Sequence, residues 1–455
     1  MGTGLPCGGA EHRILIENSE YWLRNYGDLA MLEVTVRRLR ERWPQATIGI
    51  MTESRALVAA YFPDALGITV GDRNPWGRSG PLERVCAALG PALVGPGAVA
   101  WLRARSRLLA RAIRVRDRLR GRRSPPAERA DATGAKPATE LVPRIEQRHP
   151  GAARAVREAS LVLALGGGYL TDADLPQAGR VLDLLEYASA AGIPAAMVGQ
   201  GIGPMRDPDL RERAARVLGR LPLIALRERR RGPGLLDSLG VASSAVTVTG
   251  DDAIELAQHV RNVRLGNDIG ICLRVAEYAP VAARAQESVG AAVRGAAVEF
   301  GARPVPLIIA ETPGSPDRAT TLPLVRASAN AVAALGRFVR PREVAEQVGR
   351  CRVLVTGAYH LAVFALSQGI PVVALTSTEY YDDKFLGLDD MFGGGVRLIH
   401  LDDPELGAQL AIAIREAWKA AETVREELCV RADEQAAASR EAFERLFELL
   451  ERSHA

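Results

Sequence analysis

Several features are scarce or missing in this 455-residue chain, and each absence excludes something. The five cysteines (Cys7, Cys86, Cys272, Cys351, Cys429) are scattered without close pairs. That excludes a disulfide framework and a zinc-ligand spacing, and fits a reducing compartment. No Gly-Lys-Ser/Thr occurs, so a phosphate-binding loop is absent. The start lacks the basic-then-apolar order of a signal peptide, which points to a cytoplasmic protein. An uncharged run near membrane-spanning length, Val85–Leu102, is interrupted by Gly90-Pro91 and Gly95-Pro96-Gly97, which argues against a membrane span. A formal charge of +4 is small for this length and does not suggest nucleic acid as a partner.

What is present is ordinary in bulk and distinctive in order. Hydrophobic content of 47% and charged content of 25% describe a soluble globular chain. Domains run to roughly 100–200 residues, so two are expected. The opening, Arg13–Asn18, helix Met31–Trp43 and Thr47–Met51, reads β-α-β and predicts a parallel sheet. Alternation resumes at Leu161–Leu165, with a helix at Ala178–Ala191 and strands at Ala195–Val198, Leu223–Leu226 and Ala245–Thr249. It continues after a crossing at Gln258–Gly266 with strands at Asp268–Leu273 and Val305–Ile309, a loop at Thr312–Thr321 and a short element at Leu335–Val339. The fold class is therefore α/β: two Rossmann-like domains facing a cleft, residues 1–262 and 263–404, with C-terminal helices over 405–455. An insertion at 101–136 interrupts the first domain: ten arginines lie between Arg103 and Arg123 against one acid, Asp117, and a Pro/Ala/Glu-rich loop, Ser124–Lys136, follows. A basic amphipathic helix at 101–123 is either a solvated face or a peripheral membrane contact. The oligomeric state is not legible.

The most informative residue is His360, which opens an apolar helix pattern after the strand pattern Arg352–Thr356 and Gly357. A titratable ring at a strand's carboxyl end sits where open α/β sheets bind ligands. Other distinctive turns also follow strand patterns: Asn25–Ala30, Gly166–Tyr169, Gly199–Pro204, Arg227-Glu228 and Gly250–Ala253. Glycines there let a ligand approach the backbone, and helix N-termini offer N–H groups to anions. Gly199-Gln200-Gly201-Ile202-Gly203 is not a full dinucleotide fingerprint. Asp28 at a helix start is either a cap or an acceptor-binding group, and Asp252 either caps or lines the cleft.

Taken together, Asn25-Tyr26-Gly27-Asp28-Leu29-Ala30, Leu165-Gly166-Gly167-Gly168, Gly199–Pro204, Arg227-Glu228, Asp252-Ala253 and His360 with Phe364-Ala365-Leu366 and Gly369-Ile370-Pro371 resemble the polysaccharide pyruvyl transferase family. The resemblance implies a glycosyltransferase-B-type fold and transfer of the enolpyruvyl unit of phosphoenolpyruvate onto two sugar hydroxyls as a ketal, with no metal and no cofactor. It assigns His360 as the catalytic acid–base group. Arg227, Tyr359, Gly357, Gly201, Glu379 and Lys384 are assigned to the donor, and Asn25, Asp28, Gly167, Gly168 and Tyr169 to a sugar-containing acceptor. One departure stands out: the resemblance places an arginine two residues before the histidine, where this chain has Ala358. That loss of a cation keeps a second reading open, glycosyl transfer from a nucleotide sugar. In that reading Glu379 or Asp382-Asp383 would hold the ribose, and Lys384 would contact phosphate with either donor. A third reading is a non-enzymatic descendant acting by interaction alone.

Overall fold

The computed structural model describes residues 12–119, 145–147, 149–274, 281–312 and 315–454. The loop expected at Ser124–Lys136, and the end of the arginine-rich helix beyond residue 119, lie outside the described residues. Two parallel sheets carry the chain. The first contains β1 (Arg13–Glu17), β2 (Thr47–Met51), β3 (Leu66–Ile68), β4 (Leu161–Ala164), β5 (Gly167–Leu170), β6 (Ala195–Ile202), β7 (Ile224–Leu226) and β8 (Val246–Val248), in the order β3-β2-β1-β4-β6-β7-β8, with β5 paired to β6. The second contains β9 (Asp268–Cys272), β10 (Pro304–Pro306), β13 (Cys351–Thr356), β14 (Val372–Thr376) and β15 (Val396–His400), in the order β10-β9-β13-β14-β15; β11 (Glu311–Thr312) and β12 (Ser315–Pro316) form a separate antiparallel pair. Strands such as Leu-Val-Leu-Ala in β4 are buried along their length, as expected of a sheet covered by helices on both faces.

Strand order decides where a site can form. In the first sheet the order reverses between β1 and β4, and in the second between β9 and β13. Loops leaving neighbouring strands at such a switch point diverge to opposite faces and leave a crevice at the carboxyl edge. The two crevices face one another. Tyr26 N–H donates to Ile309 O at 2.8 Å, and Asn25 bridges Ala310, so the loop after β1 is tied to the segment after β10.

Several local expectations change. The glycine segments read as turns, Gly166–Tyr169 and Gly199–Ile202, are largely strand, because β5 adds beside β6 with Gly167 opposite Gln200. The first helix begins at Tyr26 rather than Met31. A helix, Asp317–Val325, occupies part of the loop expected at Thr312–Thr321, while Leu335–Val339 has no regular structure. The uncharged run divides between the helices Pro81–Leu89 and Pro91–Leu119 at Gly90, and among the described residues no helix is long and apolar enough to cross a membrane. The arginine-rich segment continues the second of these helices.

The C-terminal helices expected over 405–455 are one helix, Leu406–His454. Its first half packs on the second sheet, where Arg352 donates to Trp418 O at 3.0 Å and Arg415 pairs with Glu299. Its second half crosses back to the first. Phe447 meets Trp43 edge-on at 4.9 Å, and Arg38, 5% exposed, bonds Ser439 and pairs with Glu255 at 2.7 Å.

Candidate active site

The loop after β1 folds into the cleft and ends at a capped helix. Asn25 is that cap, its side chain accepting from Gly27 N–H at 3.0 Å. Asp28 therefore stands in the first turn, where a carboxylate complements the helix's positive end, and does not cap. The next residue lining this wall that sequence reasoning passed over is Glu20, whose carboxylate accepts from the Trp22 and Arg24 backbone. Burial raises the Glu20 carboxyl to about 7, and raises Asp28 to about 6 against the pull of Ser19 and the charges of Arg274, Arg227 and Lys384.

His360 faces this wall from the other domain. Its helix, Tyr359–Leu366, is buried on all sides, so the ring is held by packing rather than by a cap. The imidazole lies against the backbone of Gly27, where an added Cβ would fall 2.1 Å from its Cγ. Nδ1 stands 4.0 Å from Asp28 Oδ1 and Nε2 3.6 Å from Asp251 Oδ2. Nε2 is buried and makes no hydrogen bond among the described residues. Burial, then the charges of Arg227, Arg274 and Lys384, push the ring well below the ordinary imidazole range. Both causes favour the neutral ring.

The three cations come from three elements. Arg227, at the end of β7, donates to Asp251 Oδ2 at 3.3 Å and stacks over the Tyr359 ring at 4.2 Å. Lys384, on the helix Glu379–Phe392, lies 4.0 Å above the Tyr380 ring, and burial with the neighbouring arginines pushes its ammonium well below the usual lysine range. Arg274 leaves the end of β9, next to Gly357, and lines the same cleft. Sequence reading missed Arg274 because no glycine or motif marks it. Asp251 was missed because its neighbour Asp252 carried the match. Asp252 instead turns to the C-terminal helix, where Ser439 donates to it and Arg38 lies 3.5 Å away, so it does not line the cleft.

Glycine strand β5 closes the floor. Gly168 stands where a side chain would meet Arg227 and Lys384 at 3.0 and 3.1 Å, and its carbonyl accepts from Tyr380 OH at 2.9 Å across the domain boundary. Gly167 and Tyr169 also line the cleft, but the Tyr169 hydroxyl is turned inward, donating to Leu165 O at 2.7 Å and accepting from Gln200. Gly201 underlies the Arg227 guanidinium, and Gly357 donates its N–H to Cys272 O; neither lines the open space. Glu379 also stands outside it, exposed and paired with Arg206 and Arg231. Asp382 pairs with Thr376 and His400, and Asp383 with Arg230 and Arg231. The cleft thus joins one imidazole, three cations and a carboxylate-lined wall around about 220 Å³.

Comparison with known proteins settles the family. The family model for polysaccharide pyruvyl transferase matches residues 25–379, most of the chain; of the cleft, the segment Ser19–Arg24 and the helix residues Tyr380 and Lys384 lie beyond the matched residues. The chain belongs to the polysaccharide pyruvyl transferase family. It is a transferase with a glycosyltransferase-B-type fold. Three solved structures resemble it over nearly its whole length. S. aureus MnaA with UDP is 11% identical at a TM-score of 0.55, covering 97% of each chain. UDP-GlcNAc 2-epimerase from Neisseria meningitidis bound to UDP-GlcNAc is 10% identical at 0.52, covering 96% of this chain and 99% of its own. LpCGTa in complex with UDP is 12% identical at 0.55, covering 97% and 99%. At such identities the likeness is one of fold. No curated protein matches in sequence.

Proposed function

We propose that this family member transfers the enolpyruvyl unit of phosphoenolpyruvate to a pair of hydroxyls on a sugar-containing acceptor. The observation that carries the reading is the convergence of Arg227, Arg274 and Lys384 beside His360. A donor with both a carboxylate and a phosphate needs several cations in one small site, and guanidinium forks suit both groups. Arg274, on the strand beside the one leading to Ala358, supports the reading that the cation lost at 358 is supplied from β9.

The chemistry balances with these groups. Bound donor offsets the cations and raises the imidazole toward its acid form, and His360 gives a proton to the terminal CH₂ carbon, which becomes methyl. An acceptor oxygen bonds to the central carbon while its proton passes to a carboxylate of the opposite wall, Asp28 or Glu20. The carbon–oxygen bond to phosphate breaks, both electrons leaving with phosphate. The second acceptor hydroxyl then bonds to the same carbon and closes the ketal, its proton passing to the His360 imidazole, which is thereby returned to its acid form. Water would compete for that carbon, so the buried floor of the cleft serves to exclude it.

Glycosyl transfer from a nucleotide sugar is the alternative, supported by the UDP-bound structures of like fold. Against it, the carboxylates assigned to a ribose are tied elsewhere: Glu379 to Arg206 and Arg231, Asp382 to Thr376 and His400, and Asp383 to Arg230 and Arg231. A thermal-shift titration separates the two. Phosphoenolpyruvate at about a hundred times its Kd should stabilise the protein by about 2.7 kcal/mol, a shift of several degrees. Arg274→Ala should abolish most of that shift at the same concentration. A shift with UDP or a UDP-sugar, and none with phosphoenolpyruvate, would overturn the reading.

A further inference from the structure

The helices Pro81–Leu89 and Pro91–Leu119 both pack on the helix Arg55–Tyr61, and their other faces point outward. Apart from Arg84, the exposed side chains of these faces up to Trp101 are apolar. Leu82 (69% exposed), Val85 (54%) and Leu89 (50%) line one side of the first helix at helical spacing, and Leu93 (69%) and Trp101 (58%) stand on the second. Between Leu93 and Trp101 the second helix exposes only Pro96, Gly97 and Ala100, none with a side-chain charge or hydrogen-bonding group. One turn further along, Arg103, Arg105 and Arg107 are exposed, with the Arg105 guanidinium 5.4 Å from the Trp101 ring. Soluble surfaces scatter their large apolar residues singly. Here they gather on one hairpin and end in a band of arginine.

We infer that this hairpin is a docking surface for an anionic lipid bilayer. Its apolar stripe would enter the headgroup boundary to a depth of about 5–10 Å, with Trp101 at the interface and the arginines against lipid phosphate. Charge complementarity selects the occupant. A second copy of the chain would bring the arginine bands toward one another, and nucleic acid would leave Leu82, Val85, Leu89 and Leu93 without apolar partners. The hairpin also adjoins the cleft. Gly95 lies against Phe338, whose N–H donates at 2.9 Å to the hydroxyl of Tyr26, two residues before the cleft residue Asp28. On the reading of the preceding section, an acceptor carried on a lipid would then meet the cleft at the bilayer surface.

The test is co-sedimentation of the full chain with vesicles of phosphatidylcholine containing phosphatidylglycerol, compared with phosphatidylcholine alone, at low and high salt. Binding is expected with the anionic vesicles, weaker in salt, and reduced about tenfold or more in the Leu93→Glu/Trp101→Glu double variant. Both side chains are exposed, so the variant should keep its melting temperature and its phosphoenolpyruvate shift. Failure of vesicle binding is thereby distinguished from failure of the donor reading. No sedimentation with anionic vesicles at low salt overturns the proposal, as does equal sedimentation of the double variant. If the substitutions instead turn a dimer into a monomer by light scattering, or abolish binding of an oligonucleotide while vesicles are never bound, the face serves another partner and the proposal falls.

Discussion

At the scale of single residues, the site depends on which way neighbouring side chains point. Asp251 and Asp252 are adjacent in sequence, yet one faces His360 and Arg227 while the other faces Ser439 and Arg38. A motif names the pair, and only the backbone after β8 decides between them. Asp28 illustrates the electrostatic consequence. Its folded-state carboxyl is raised to about 6 by burial, so protonation is favoured in the native protein. The contribution to stability is fully present below the unfolded value near 3.8 and is lost as pH rises through about 6. Replacing it with Asn removes that loss. Urea unfolding at pH 4.5 and 7.5 should show a drop in wild type that exceeds the drop in Asp28→Asn by on the order of 2 kcal/mol. Equal drops would show that the carboxyl is not shifted. Asp251, raised to about 6 as well, leaves a residual slope in the variant.

At the scale of elements, the contact between the helix Tyr26–Arg42 and the helix Tyr359–Leu366 is what aims the imidazole. No space separates Gly27 from the His360 ring. In an exposed helix interior, alanine for glycine would add stability of up to about 1 kcal/mol. Here Gly27→Ala should instead displace the ring. A displacement of about 1 Å costs on the order of a hundredfold in turnover, so kcat should fall by that much while the circular dichroism spectrum is unchanged. Activity at the wild-type level would mean that His360 is not held by this contact. The same scale explains two departures from sequence expectation. Runs of glycine read as turns because glycine punctuates most chains, but Gly167 and Gly168 lie in β5 because that strand pairs with β6, and at Gly168 a side chain would meet Arg227, Lys384 and Tyr380. The helix start at Tyr26 was hidden because Gly27 weakens the helical pattern, and the cap at Asn25 restores it.

At the scale of the whole molecule, the C-terminal helix ties the two sheets into one body. Arg38 carries much of that tie on the first sheet: it is buried, pairs with Glu255, approaches Asp252, bonds Ser439 and lies 4.6 Å over the Phe443 ring. Removing one partner of a buried ion pair leaves a charge without compensation, at a cost of about 3–5 kcal/mol. Arg38→Ala should therefore lower the unfolding free energy by about 3 kcal/mol, Arg37 and Arg440 still facing Glu255. The two halves should also separate into distinct transitions in calorimetry. A single transition at the wild-type temperature would show that the helix does not couple them. Ion pairs at the cleft mouth, Arg230 and Arg231 with Asp383, and Arg206 with Glu379, also bridge the domains, but their exposure makes each of them weak.

Alternation of buried strands and amphipathic helices is a local property of period and composition, so the α/β class could be read from the chain directly; the resemblance also singled out His360, Arg227 and Lys384, which line one cleft. The sequence of motifs also named the family, since each motif marks the end of a strand. Strand order could not be read, because register and neighbour choice depend on packing between segments far apart in the chain. That order puts the reversal between β1 and β4 opposite the reversal between β9 and β13. It thereby brings Glu20 and Arg274, which no motif marks, to the same 220 Å³ as the histidine, and sets Asp251 rather than Asp252 against the imidazole. The depressed imidazole and the raised carboxyls are likewise tertiary, since both follow from burial among charges that the sequence keeps far apart.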